Sequence, residues 1–348
     1  MGESLRGDAA ARKPPTLRDV AERAGVHPAT ASRALNPALP GRISPETTRK
    51  VQEAARVLGY RPDPAARSLR TRRSGVVGVV VPDLMNPVLP PIVRGIEETL
   101  WEVGLACLLA DTDNRSDREE AFVEEMLGRR CEGLIVATAA RDSSAVASLE
   151  GLGIPTVLVT REIDHSPFPF VGGDDASGVA AAVEHLVALG HRRIAYVTGP
   201  PNLSTTMRRE QAFVEALTRH LPEARVVVHH TDGFTVPAGK KGAVDVLTLV
   251  EPPTAILAGN DMMALGVYET LDAHGLSCPG DISVVGHNDM PFMSAVRPPL
   301  TTVAIPQYDV GVEAARILMS LRAGEPPKAT RRLLPTRLVV RGSTAPPS

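Results

Sequence analysis

From Val76 onward the chain repeats one pattern, a short continuous apolar run followed by a longer stretch with helical spacing. The runs read VVGVVVP, LACLLAD, GLIVAT, PTVLVT, RIAYVTG, ARVVVHH, TAILAGND and ISVVGHND. A strand of unbroken Val, Ile and Leu has no polar face to offer water, so it must be covered on both sides. Strand–helix alternation supplies that cover as a parallel, doubly wound sheet. Eight such units are too many for one small sheet. Two α/β lobes with a cleft between them are therefore expected, and ligands of such sheets bind beyond the carboxyl ends of the strands.

Ahead of this body stands a segment of opposite charge. Residues 1–75 hold 15 basic and 7 acidic side chains, a net of +8, whereas the remainder holds 23 and 33, a net of −10. A basic head on an acidic body points to a polyanion such as nucleic acid as partner of the head alone; a solvated basic surface is the alternative. The first 15 residues mix charges with Ala and Pro and read as a disordered tail. With no signal-peptide core and no run of 18 apolar residues, a cytoplasmic location is expected.

The head reads as three short helices. In TLRDVAERAGV the apolar residues Leu17, Val20, Ala21 and Ala24 recur at helical spacing, Thr16 caps, and Asp19 suits the positive end of the dipole. Gly25 ends that helix, and a second begins at Pro28, whose missing N–H would be unpaired in a first turn anyway. Ala31, Ala34 and Leu35 share its inner face; Pro28, Ala29, Ser32, Arg33 and Asn36 share the outer one. A third helix runs from Ser44 as cap and Pro45 as first residue to Gly59, with Val51, Ala54, Ala55 and Leu58 inward. Helix, glycine turn, helix is the helix-turn-helix signature.

The stretch TLRDVAERAGVHPATASRALN, followed by ISPETTRKVQEAARVLGYRPDPAARSLRT, resembles the N-terminal region of the lactose-repressor (LacI/GalR) family of bacterial transcription regulators. The resemblance implies a small all-α helix-turn-helix DNA-binding domain over residues 16–61 and a hinge helix or linker over 62–74. It also implies a homodimer whose recognition helices enter successive major grooves of a near-palindromic operator, and two-fold protein symmetry does predict two-fold sites. In the family, base edges are met by the first two positions of the recognition helix and by a later arginine, which fall on Pro28, Ala29 and Arg33. Pro28 and Ala29 offer only shape and apolar contact, so Arg33 carries most of the hydrogen-bonded readout, worth about 1–3 kcal/mol of discrimination. Thr30, Ser32, Asn36, Arg42 and Tyr60 match phosphate-holding positions, which set register without reading sequence. His27 stands where the family has a serine cap, and it either meets a phosphate or caps the helix. In the hinge the resemblance makes Leu69 the wedge between central base pairs, with Ala66 on the pairing face and Arg70 beside the groove.

The body, residues 75–348, also resembles the family, through VPDLMNP, EHLVALGHRRIAYVTGPP, LAGNDMMALGVYETL, DISVVGHND and RPPLTTV. That resemblance implies an α/β periplasmic-binding-protein-like effector domain of two doubly wound parallel sheets, which also dimerises. Its effector arginine matches Arg209, its stacking aromatic Phe234, and its polar strand-end ligands Asn260 and Asn288. Four positions depart from the pattern: Asn288 and Thr160 stand where many relatives carry aspartates, and Val88 and Leu89 where they often carry aromatic residues. The pocket so implied is less acidic and poorer in stacking surface, open to a sugar or to a less hydroxylated or anionic metabolite facing Arg209. Asp174 and Asp175 read as helix caps, and Asn260 either caps a helix or meets ligand.

Other classes find little support. The chain has no GxGxxG after its first strand, no P-loop, no GxSxG and no HExxH, so no catalytic residues, cofactor or metal are assigned. Cys107, Cys131 and Cys278 lack metal-ligand or disulfide spacing and read as buried thiols. A free-standing solute-binding protein would have no use for the basic head, and a purely architectural DNA binder none for the body. No leucine heptads follow the last strand, so a dimer and no coiled-coil tetramer is expected. The resulting expectation is a transcriptional repressor whose operator affinity follows a small-molecule effector.

Overall fold

In the computed structural model, residues 15–35, 43–61, 73–138, 140–327 and 329–348 are described. The chain divides into two compact units, Met1–Ser74 and Gly75–Ser348. Most of the tail, residues 36–42, and residues 62–72 of the expected hinge lie outside the described residues.

The first unit contains α1 (Leu17–Arg23), α2 (Pro28–Ala34) and α3 (Pro45–Leu58). Each starts where its cap predicts. Thr16 and Asp19 form a reciprocal capping box at α1, with Asp19 N donating to Thr16 Oγ1 (3.3 Å) and Thr16 N to Asp19 Oδ2 (2.7 Å). Ser44 Oγ accepts from Thr47 N (3.2 Å) at α3. After α1 the chain turns through Gly25 at φ +67°, a left-handed conformation that costs other residues strain. Val20, Ala21, Ala31, Ala34, Val51, Ala54 and Ala55 form the buried centre, with Leu17, Leu35, Leu58 and Tyr60 packed around it.

The second unit has two six-stranded sheets. The first lobe comprises β1 (Val76–Val81), α4 (Leu89–Glu102), β2 (Ala106–Asp111), α5 (Ser116–Gly128), β3 (Leu134–Val136), α6 (Ser144–Ala147), β4 (Thr156–Val159) and β5 (Phe170–Gly173). The chain then enters the second lobe: α7 (Asp175–Ala188), β6 (Ile194–Thr198), α8 (Ser204–His220), β7 (Val227–His230), α9 (Val236–Leu247), β8 (Ala255–Ala258), α10 (Asp261–Ala273), β9 (Ser283–Asn288) and β10 (Thr301–Ala304). It returns for α11 (Gln307–Arg322) and β11 (Arg331–Leu334) and crosses a third time to β12 (Arg337–Val339).

The strand orders are β11-β5-β4-β3-β1-β2 and β12-β10-β9-β8-β6-β7. All pairings are parallel except β10 with β12. Period-2 alternation buries β1 on both faces: Val77, Val79 and Val81 pack under α4 and α11, while Val80 packs under α5. The second sheet is likewise sandwiched, with α9 and α10 on one face and α7 and α8 on the other.

Two of the eight expected runs depart from full burial. β2 and β7 are edge strands, and most of their residues are half-buried or exposed. The eight runs also leave out β5, β10, β11 and β12. "FVGG" is short and half glycine, and "RRLL" begins with two exposed arginines, so neither looks like a buried run. The three cysteines are half-buried rather than buried. Burial pushes the thiols of Cys107 and Cys278 up to about 11 and about 12, which leaves them protonated at neutral pH. Among the described residues no helix is long and apolar enough to cross a membrane.

Candidate functional site

On α2, Pro28, Ala29 and Arg33 are exposed, and Thr30 and Ser32 are half-buried. The inward positions Ala31 and Ala34 are methyl-sized, which lets α2 approach α1 and α3 closely while its outer face stays free. Of the two roles open to His27, the cap is present: its Nδ1 accepts from Ala29 N at 3.2 Å, with Pro28 in the first turn. Nδ1 must therefore be the unprotonated nitrogen. Tyr60, half-buried, packs against the three-helix core. Asn36, Arg42, Ala66, Leu69 and Arg70 lie outside the described residues.

The second unit places Val88, Thr160, Arg209, Phe234, Asn260 and Asn288 around one cleft between its lobes. The cleft has about 660 Å³ of empty space, its open mouth included. Thr160 follows β4, Asn260 follows β8 and Asn288 ends β9, so the cleft lies at carboxyl strand ends, as the topology requires. The first lobe contributes an apolar wall of Val88, Leu89 and Ile92. The opposite wall holds Phe234, whose ring lies against bare backbone. A methyl group on Gly199 would stand 2.5 Å from Phe234 Cε2, and one on Gly259 would stand 3.1 Å from Cε1. Only glycine at 199 leaves room for the ring.

Each polar residue of the cleft has a distinct state. Asn260 is a structural cap: its Oδ1 accepts from Met263 N (2.8 Å) and its Nδ2 donates to Phe234 O (3.0 Å), which ties the aromatic loop to α10. Asn288 differs. Its side chain is 4% exposed, and its Oδ1 has no hydrogen-bond partner. Its backbone sits at φ +113°, and its carbonyl accepts from Gln307 Nε2 at 2.7 Å. Leaving a buried acceptor unpaired costs about 1–3 kcal/mol, so this atom is set for a ligand or a water.

Arg209 does not stand free for an anion, which corrects the expectation of an anionic group facing it. It is 7% exposed; its Nε donates to Asp175 Oδ1 (2.9 Å) and one terminal nitrogen donates to Gly259 O (2.8 Å). Asp175, expected as a cap beside Asp174, is instead the buried counter-charge. Asp174 alone caps α7, accepting from Ser177 N at 3.2 Å. Asp175 also receives Arg208 at 3.3 Å. His287 Nε2 lies 3.2 Å from Asp175 Oδ1 but at an angle that makes no hydrogen bond, so this buried nitrogen is unpartnered. Burial alone would raise the Asp175 carboxyl, yet the charge of Arg209, with that of Arg208, holds it well below the usual carboxylate range. Burial, and then Arg209, push His287 down to about 4, so the ring is neutral at pH 7. The spacing of these residues in the chain gives no sign that they pair.

Arg208 joins the lobes. From α8 it reaches Glu162 and, at 3.1 Å, the carbonyl of Thr160, and its guanidinium lies 4.9 Å from the centre of the Phe170 ring. Glu162 N also donates to Ser204 Oγ at 2.7 Å. Beyond Arg161 the cleft opens into an outer polar compartment, about 1240 Å³ with its open mouth included, that shares Pro82, Asn86, Arg161 and Phe234 with the inner one. Arg161 donates to Thr138 O (3.0 Å) and to Asn114 Oδ1 (3.3 Å). Burial pushes it down to about 10, opposed by the attraction of Glu119. Sequence reading missed Arg161 and Gln307 and took Asp175 for a helix cap. Arg161 was the most accessible of these, since it directly follows the strand-end Thr160. Elsewhere, His229 and His230 pair with Asp245 (3.0 Å) and Glu210 (2.8 Å), respectively.

Comparison with known proteins accords with both units. Residues 16–63 match the model described as bacterial regulatory proteins, lacI family, and residues 183–344 match a periplasmic binding protein-like domain. The HTH-type transcriptional repressor CytR of Escherichia coli K12 is 32% identical over 331 residues, which cover 94% of this chain and 96% of CytR. Among solved structures, a lac repressor dimer bound to operator and the anti-inducer ONPF has a TM-score of 0.86 at 30% identity, covering 96% of this chain and all of that one. A complex of the transcriptional regulator CelR with cellobiose has a TM-score of 0.72 at 30% identity, covering 94% and 99%. A three-helix head on a two-lobed α/β body, similar over nearly the whole chain to these regulators, means that this protein belongs to the lacI family of bacterial regulatory proteins.

Proposed function

We propose that the protein is a cytoplasmic transcriptional repressor that binds a near-palindromic operator as a homodimer and changes its grip when a small metabolite, a sugar or a related compound, occupies the cleft. The observation that carries this reading is the cleft itself. Side chains from both lobes line one cavity, and it contains a buried acceptor, Asn288 Oδ1, with no partner in the protein. A ligand touching both walls binds best when the lobes stand at one particular separation and rotation. Any differential affinity of that kind shifts the equilibrium between lobe arrangements. Arg208 crosses the gap and resists such a shift in proportion to its contacts.

In this reading the lobe rotation alters the distance between the two hinge segments of a dimer, so that residues 62–74 form helix or lose it on DNA. A helix that short is unstable alone and folds only against a partner. The hinge assignment and the wedge role of Leu69 rest on sequence, since residues 62–72 lie outside the described part of the structure. Pro28, Ala29 and Arg33, exposed on α2, read the major groove, and the His27 cap orients the first turn of that helix. Dimerisation fits the exposed apolar side chains of the first lobe, among them Trp101, 74% exposed near the end of α4, Val103 just after it, and Leu109 on the edge strand β2. The repressor CytR and the operator-bound lac repressor dimer, similar across nearly the whole chain, support the same assignment.

The test is selection of DNA from a randomised duplex pool by the full-length protein at near-physiological salt, because low salt inflates nonspecific binding. A palindrome with a deformable central step is the expected product. Failure to enrich any motif, with and without a metabolite extract, would overturn the reading.

A further inference from the structure

Taking the cleft as the effector site, we propose that the effector carries an anionic group, a carboxylate or phosphate, which pairs with Arg161 at the passage between the two compartments. Three charged side chains line the inner compartment: Arg161, Arg209 and Asp175. Asp175 is engaged by Arg209 and Arg208. That leaves Arg161 as the inner compartment's cation without an ion-pair partner among the described residues; Asp83, Glu119 and Asp232 line the outer compartment, and none of them forms an ion pair with it. Its hydrogen-bond partners are both neutral oxygens, from Thr138 and Asn114, and they use two of the five N–H groups of a guanidinium.

The nearest acid does not complete the pair. Glu119 is buried, and its oxygens accept from the hydroxyls of Thr138 and Ser143; it attracts Arg161 without coming within ion-pair distance of it. Arg161 is half-buried, and a partly desolvated cation attracts an anion more strongly than one in open water. In a cleft open to solvent that anion can arrive with the ligand. The guanidinium fork fits carboxylate and phosphate with two parallel hydrogen bonds, which a lone hydroxyl cannot match.

The rest of the cleft agrees. Neutral polyols are best held by carboxylates that accept from hydroxyls, but the one carboxylate lining the inner compartment, Asp175, is taken up by Arg209 and Arg208, and Thr160 and Asn288 carry no charge. The effector so defined places an apolar or lightly hydroxylated body against Val88, Leu89 and Phe234. It donates one hydrogen bond to Asn288 Oδ1 and directs its anion toward Arg161.

Calorimetric titration of the full-length protein tests this with matched pairs differing only in charge: glucose against glucose 6-phosphate and gluconate, ribose against ribose 5-phosphate, and adenosine against AMP. The expected result is that an anionic member binds at least tenfold tighter than its neutral partner. Arg161→Gln should weaken that binding roughly tenfold to a hundredfold, with Arg161→Lys in between. The paired comparison on the unaltered protein stands even if the Arg161 variants misfold. If neutral and anionic partners bind alike and Phe234→Ala weakens both, the anion proposal fails and the cleft reading stands. If a ligand binds and neither Phe234→Ala nor Asn288→Ala weakens it, the cleft reading fails, and the proposal with it. Binding by no anionic member overturns the proposal.

Discussion

Replacing Asp175 with asparagine tests the electrostatic core of the cleft. The substitution keeps shape and removes one buried negative charge. Arg208 retains Glu162, so the penalty falls on Arg209, which is 7% exposed and keeps one neutral carbonyl, Gly259 O, as partner. Breaking a buried pair from one side costs about 3–5 kcal/mol because the remaining charge is uncompensated. In a unit of this size about 1 kcal/mol corresponds to roughly 2 °C, so the melting transition should fall by roughly 6–10 °C. Far-UV circular dichroism follows the loss, with the fluorescence of Trp101, the chain's one tryptophan, reporting on the body alone. The double variant Asp175→Asn with Arg209→Met removes both charges and should be less damaged than the two single losses added together, with a coupling of roughly 2 kcal/mol. A loss below about 1 kcal/mol, or two losses that simply add, would refute the account of Asp175 as the counter-charge of Arg209.

Acid response should show two opposed contributions. His287, pushed down to about 4 in the fold against its ordinary value of 6.5, makes the unfolded chain the better proton binder, so its share of stability is lost as pH falls from 6.5 toward 4. Asp261, raised by burial to about 7, contributes the other way, its share being lost as pH rises from about 4 to 7. Denaturation midpoints of His287→Gln should therefore gain on the unaltered protein by about 3 kcal/mol across the window from 6.5 to 4, and a constant difference would count against the buried neutral ring. Gly199→Ala should push the Phe234 ring off its wall and weaken effector binding by about tenfold while leaving operator affinity unchanged; unchanged effector binding would mean that the ring is not a platform. In quantitative footprinting, Arg33→Ala should cost about 1–3 kcal/mol on the operator and little on random DNA. Leu69→Ala should likewise lose specific affinity before nonspecific affinity, and equal losses on both DNAs would remove the wedge.

The helical head was legible in the sequence because its signals are local. A cap, an apolar stripe and a stop glycine lie within one helix length, so Thr16, Ser44 and Gly59 mark boundaries that the fold respects. Central strands were equally readable, since burial on both faces writes a continuous apolar run. Edge strands β2 and β7 carry similar runs without that burial, because position in a sheet is a property of neighbours far away in sequence. The cleft was half legible. Strand-end polar residues followed from topology and resemblance, and all six line one cavity. Their states did not follow. Asn260 and Asn288 look alike in sequence, yet one spends its amide on α10 and Phe234 while the other keeps a buried oxygen unpaired. Asp175 looked like its neighbour Asp174, a cap, because pairing with Arg209 exists only across 34 positions of chain.

The central claim is that cleft occupancy and operator binding are linked, and linkage is reciprocal. The most direct measurement is effector affinity by titration calorimetry, with and without saturating operator duplex, set beside operator affinity by fluorescence anisotropy with and without saturating effector. Coupling of this kind is typically about 1–3 kcal/mol. The account predicts that both pairs of measurements change by the same factor, roughly 5-fold to 150-fold, and that Leu69→Ala shrinks both together. Effector affinity that is identical on free and operator-bound protein would contradict it.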